Sequence, residues 1–128
     1  MFQIDPMSRQ AVYEQLIEQM ERFILSGILK SGDQIPSVRS LSVDLSVNPN
    51  TIQKAYSQMD AKGMIYSVPG KGCFISPDAL ERLSKAKMEK IEDFENLILE
   101  LALAGITQEQ LTESIKRVFS NMQEQSSN

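Results

Sequence analysis

PSVRSLSVDLSVNPNTIQKAYSQMDAKGMIYSVPGKGCFIS, residues 36–76, is the stretch on which the fold turns. Pro36 followed by Ser37 marks the start of a short helix, whose buried face is Val38, Leu41 and Leu45. Ser46 and Val47 leave room only for a brief turn. Asn48 then caps a second short helix with Pro49 at its first position, where a missing N–H costs nothing. Ile52, Ala55, Tyr56 and Met59 give this helix its apolar stripe, and Gly63 ends it. Met64 to Val68 reads as a strand, Pro69 to Gly72 as a turn and Cys73 to Ser76 as the returning strand. The stretch therefore predicts two short helices joined by a tight turn and followed by a small β-hairpin.

Upstream, Val12, Tyr13, Leu16, Ile17, Met20, Phe23 and Ile24 recur at helical spacing, with Ser8 as the expected cap and Gly27 as the stop. Gly27 to Pro36 carries loop chemistry. Downstream, Pro77 punctuates the chain, and a charge-rich helical pattern runs from Asp78 to Ala104, about 40 Å at 1.5 Å per residue. Ile91, Phe94, Ile98 and Leu101 are spaced three and four apart along it, as in a coiled-coil seam. Gly105 stops this helix, and Thr107 with Gln110 forms a capping box for a last one bearing Leu111, Ile115, Val118, Phe119 and Met122. The tail from Gln123 to Asn128 is expected to fray. The expected architecture is mainly α, of the α+β kind: a unit at residues 1–77 with the two short helices and the hairpin, then a two-helix segment at 78–128.

Composition removes whole classes of function. The 128 residues suit one modest core with an appendage. There is no histidine and a single cysteine, Cys73, which excludes an internal disulfide, most zinc sites and histidine-based triads. No phosphate-binding loop occurs, and no clustered acid–base pair points to an enzyme. No cofactor is expected. No apolar run approaches the roughly 18 residues of a membrane span, and the N-terminus lacks a secretory pattern, so the expected location is the cytoplasm and no membrane partner is expected.

The net charge of −4, from 13 basic and 17 acidic residues, opposes DNA binding until its distribution is examined. Residues 1–77 carry seven of each sign, whereas 78–128 carry six basic and ten acidic. Within 30–72, five basic residues face three acidic ones, a weak positive patch.

Two short helices with a tight turn match the size of a helix-turn-helix, and the hairpin after them matches a wing. A recognition helix presents its start to base edges and phosphates, where small polar side chains bond without holding the helix away from the groove. Asn50, Thr51, Gln53 and Lys54 point outward if Ile52, Ala55 and Tyr56 face the core. Asn and Gln can bond an adenine edge bidentately, and Lys suits phosphate or guanine. Ser37 and Arg39 begin the preceding helix, from which the guanidinium can reach a phosphate or guanine; a surface pair with Asp44 is the bland alternative. Gly70 and Gly72 let the wing backbone approach the minor groove while Lys71 offers a charge, although a plain hairpin turn would use the same residues. A protein-interaction module with the same architecture remains the competing class, consistent with the acidic balance.

Residues 11–76 resemble the winged helix-turn-helix domain of the GntR family of bacterial transcription regulators. Gly27, Leu29, Gly32, Pro36, Ser37, Arg39, Leu41, Leu45, Val47, Asn48, Asn50, Thr51, Ala55, Tyr56, Gly63, Ile65, Gly70, Gly72 and Phe74 carry the likeness. The short helical C-terminal part is similar to the YtrA subfamily, which lacks a large ligand-binding domain. The resemblance implies a dimeric repressor of a palindromic operator, with half-sites about one helical turn apart, often beside ABC-transporter genes. It places DNA contacts at Arg39, Asn48, Pro49, Asn50, Thr51, Gln53, Gly70 and Lys71. The two C-terminal helices would form the dimer interface, for which Ile91, Phe94, Ile98, Leu101, Ile115 and Phe119 are the candidate residues, although a core between the helices of one subunit would use the same side chains. The expected partners are double-stranded operator DNA, a second copy of the chain and an unidentified small-molecule effector. Val68 and Pro69 depart from the family, whose members often carry basic residues there, so fewer phosphate contacts are expected and the head alone should bind weakly.

Overall fold

The computed structural model describes residues 1–126. The chain forms two compact units, Met1–Ala86 and Lys87–Asn128. The first contains α1 (Val12–Leu25), β1 (Gln34–Ile35), α2 (Val38–Leu45), α3 (Pro49–Ala61), β2 (Ile65–Val68), β3 (Gly72–Ile75) and most of α4 (Ala79–Met88). The second contains α5 (Ile91–Leu103) and α6 (Gln108–Ser126). This is the expected winged helix-turn-helix with a helical C-terminal segment.

The core of the first unit gathers Leu16, Met20 and Ile24 of α1, Leu41 of α2, and Ile52, Ala55, Tyr56 and Met59 of α3. Ile52 is 0% exposed, so α3 is a central packing element. Tyr56 locks it further: its hydroxyl donates to the Pro36 carbonyl at 2.6 Å, joining α3 to the residues that precede α2. Burial, with a smaller contribution from Cys73, pushes the phenol above its ordinary pKa and keeps it a hydrogen-bond donor.

The turn between α2 and α3 is closed locally. Ser37 Oγ accepts from Ser40 N at 3.0 Å, capping α2. Ser46 takes the left-handed conformation, φ 55° and ψ 45°. The Ser42 hydroxyl then donates to the Val47 carbonyl at 2.5 Å, while Val47 N donates back to Ser42 O at 3.1 Å. α3 starts as expected, with Asn48 Oδ1 accepting from Asn50 N at 2.8 Å and Pro49 in the first turn.

Two differences from the sequence expectations appear in this unit. Gly27 to Pro36 is not all loop: Gln34–Ile35 forms β1, and the antiparallel sheet runs β1-β3-β2, with Gln34 opposite Phe74 and Ile35 opposite Cys73. Two residues are too few to display an alternating pattern, and the strand exists because buried Ile35 docks there. Ser8 does not cap α1. The N-cap is Ala11, with no side-chain cap bond, and Ser8 Oγ instead accepts from Gln10 N. The preceding extended segment is held by two glutamines of α1: Gln15 bonds both backbone groups of Asp5, and Gln19 both of Gln3. Phe2 packs edge-on against Phe23, with ring centroids 5.4 Å apart.

The pattern from Asp78 to Ala104 is not one helix. α4 stops at Met88 and α5 begins at Ile91, across a turn in which Lys90 N donates to Lys87 O. Neither Glu89 nor Lys90 is a helix breaker, so composition gives no warning of the interruption. Ala79 and Leu83 of α4 are buried in the first unit's core.

Within the second unit, Gly105 takes φ 97°, and Thr107 and Gln110 form the reciprocal capping pair, backbone to side chain in both directions. α6 continues through Ser126, beyond the Gln123 at which fraying was expected; Ser127 and Asn128 lie outside the described residues.

Two substitutions test this packing by urea denaturation. Ser46→Gly removes a left-handed side chain and should raise stability by up to about 1 kcal/mol. Ile52→Ala opens a cavity at the centre and should lower it by about 2–5 kcal/mol.

Candidate nucleic-acid interface

Burial of Ile52, Ala55, Tyr56 and Met59 fixes the rotation of α3 about its axis. Asn50, Gln53, Lys54 and Ser57 are consequently exposed, and Thr51 is half-buried. Asn48 uses its side-chain oxygen as the cap, which leaves its amide NH₂ as the outward donor. Gln53 Nε2 donates along the helix to Ser57 Oγ at 3.1 Å, and its carbonyl oxygen remains an acceptor. Lys54 lies differently from the simple outward expectation. Its ammonium sits over the Tyr13 ring of α1, 3.9 Å from the centroid, a cation–π contact that holds the charge at the α1 side of α3.

The backbone donors at the start of α3 are already engaged. Pro49 has none, Asn50 N bonds the Asn48 side chain, and Thr51 N and Ile52 N both bond Asn48 O, at 3.0 and 3.3 Å. The helix terminus therefore presents side chains to a ligand.

Arg39 stands exposed in the first turn of α2 and forms no ion pair among the described residues, so the surface pairing with Asp44 does not occur. Its five donors are available for phosphate or a guanine edge. Ser37 uses its oxygen as a cap acceptor and keeps its O–H to donate.

The wing turns at Val68–Lys71, closed by Lys71 N to Val68 O at 2.9 Å. Pro69 and Gly70 occupy the two central positions, and Gly70 has φ 77°, as a type II turn requires. Lys71 is exposed at the tip. On one face of the sheet Tyr66 stacks on Phe74, with centroids 5.7 Å apart.

All ten residues expected at DNA, from Ser37 to Lys71, thus belong to one compact unit, on α2, the start of α3 and the wing. The six expected at a dimer contact lie in the other unit, on α5 and α6. Sequence reasoning missed two residues of the first group's surroundings, Tyr13 beneath Lys54 and Gln34, whose side-chain amide donates to Lys71 O at 2.9 Å. Neither partnership has a sequence signal, because each joins elements far apart in the chain. Among the described residues, no helix is long and apolar enough to cross a membrane.

A winged helix-turn-helix with an unpaired arginine, a polar recognition-helix start and a lysine-tipped wing defines a DNA-binding transcription regulator. Residues 12–75 match the model of the bacterial regulatory proteins of the gntR family. The HTH-type transcriptional repressor YtrA of Bacillus subtilis is 42% identical over 123 residues, 95% of each chain. The chain belongs to the gntR family, whose members regulate transcription and are not enzymes. A GntR family transcriptional regulator from Listeria monocytogenes has a similar structure, with TM-score 0.72 and 31% identity over 89% of this chain and 98% of that one. The AraR DNA-binding domain in complex with operator ORX1 matches at TM-score 0.51 and 29% identity, over 57% of this chain and 90% of that one.

Arg39→Ala should weaken DNA binding by about 1–3 kcal/mol in a fluorescence-anisotropy titration, with the thermal midpoint nearly unchanged. An unaltered affinity would take α2 out of the interface.

Proposed function

We propose that the chain acts in the cytoplasm as a homodimeric repressor. Two α3 helices enter successive major grooves of a palindromic operator, Asn50, Thr51 and Gln53 read base edges, and Arg39 and Lys71 hold the backbone. The observation that carries the dimer is the second unit's apolar surface. α5 buries no residue within the single chain, and Ile91, Phe94, Leu97, Leu99, Val118 and Phe119 are all exposed, Phe119 by 61%. A soluble monomer rarely leaves so many large apolar side chains in water on two neighbouring helices, and a second copy would cover them. Ile98 and Leu101 are half-buried and would line the contact with Ile115.

Repression is supported by the Bacillus relative, which is named a repressor, and operator binding by the AraR complex. The subfamily likeness favours an ABC-transporter operon as the target. The weak charge of the head makes the dimer part of the binding mechanism, since two heads joined together gain effective concentration that one lacks.

Hydroxyl-radical footprinting on the region upstream of the protein's own gene should give two protected patches about one helical turn apart. Phe119→Glu should convert a dimer to a monomer in sedimentation equilibrium and reduce affinity for the footprinted duplex at least about tenfold. A wild-type monomer that gives the same footprint would remove the dimer from the mechanism.

A further inference from the structure

The wing tip is tied to the body of the domain by one side chain. β1 runs antiparallel to β3 with Gln34 opposite Phe74. Residues two apart on a strand share a face, so Gln34 lies on the face of Phe74 and Gly72. Its side chain runs diagonally across β3, and Nε2 donates to the carbonyl of Lys71 at 2.9 Å. The path exists because residue 72 has no side chain: a Cβ there would lie 2.6 Å from Gln34 Nε2. Gly72 also takes φ 126°, which a side chain would resist. Beyond the turn's own Lys71 N to Val68 O bond, this long-range link anchors the tip to β1.

We infer that Gln34 is a positioning residue for DNA binding: through its bond to the Lys71 carbonyl, across the space left by Gly72, it aims the Gly70–Lys71 tip at the DNA backbone. This rests on the reading that the wing touches DNA. The lysine side chain and the carbonyl belong to the same residue, so fixing the carbonyl limits the volume that the ammonium samples. A tip ordered before binding does not have to be ordered during it. Gln34 itself makes no contact with DNA in this account.

The full-length protein and the footprinted upstream duplex give the test. Gln34→Met keeps the length of the side chain and removes the donor. It should lower affinity by about two- to ten-fold, the effect of one hydrogen bond. Lys71→Ala should reduce the slope of log affinity against log salt by about one per wing, as one phosphate contact is lost. Gln34→Met should reduce that slope in the same direction, and should add no further loss to Lys71→Ala. In ¹⁵N relaxation of the free protein, the heteronuclear NOE of Gly70 and Lys71 should fall in Gln34→Met, with the thermal midpoint held. A role in stability alone would move the midpoint and leave the salt slope unchanged, and that result overturns the inference. So does an unchanged slope and NOE in Gln34→Met when Lys71→Ala lowers the slope. If Lys71→Ala itself leaves the slope unchanged, the wing is not at DNA and the inference falls with that reading.

Discussion

Everything at the recognition surface depends on how α3 is seated. One helix has to satisfy two masters, a core that surrounds Ile52 completely and a groove that needs polar side chains at its start. Burial decides between them, because removing a large aliphatic side chain from water stabilises by about 1.5–3 kcal/mol, more than a single exposed polar contact supplies. Once Ile52, Ala55, Tyr56 and Met59 are inside, the direction of Asn50 and Gln53 is no longer free. The Tyr56 hydroxyl on Pro36 and the Ser42 hydroxyl on Val47 then fix α2 against α3, so Arg39 keeps its place relative to Asn50 and Gln53.

Much of this was legible in the sequence because its causes are local. Caps at Ser37 and Asn48, the first-turn proline and the stops at Gly27 and Gly63 each depend on a few neighbouring residues and occur as expected, while the wing turn, expected over Pro69–Gly72, closes over Val68–Lys71 with Gly72 already in β3. What escaped was of two kinds. β1 and the anchors of Lys54 and Lys71 arise from tertiary contacts, which periodicity cannot register. The interruption between α4 and α5 falls on Glu89 and Lys90, good helix formers, where propensity argues for continuation. The Ser8 cap failed for a related reason: the chain before α1 is held by Gln15 and Gln19, which leave Ala11 at the helix start.

The two units also differ in how they treat apolar surface. The first encloses a core of large aliphatic residues between helices and sheet, although Ile28, Val43 and Leu80 stay exposed. The second displays them, with the acidic side chains of Glu92, Asp93, Glu95 and Glu100 interspersed along α5. Those carboxylates account for much of the chain's negative balance and sit away from the reading head in sequence, so net charge describes the molecule poorly as a DNA ligand.

The engaged N–H groups at the start of α3 have a further consequence for how the genome is searched. Amide donors at a helix terminus grip any phosphate equally well and so add to binding everywhere along a duplex. Here Asn48 and Pro49 withdraw them, and adhesion to arbitrary DNA loses a contributor that carries no sequence information. In the proposed function, the side chains that remain, Asn50, Thr51 and Gln53, are the ones that discriminate between bases. A regulator made this way spends less of its time held on the vast excess of irrelevant sites, and its occupancy at the right one is governed by the ratio between the two affinities more than by either alone.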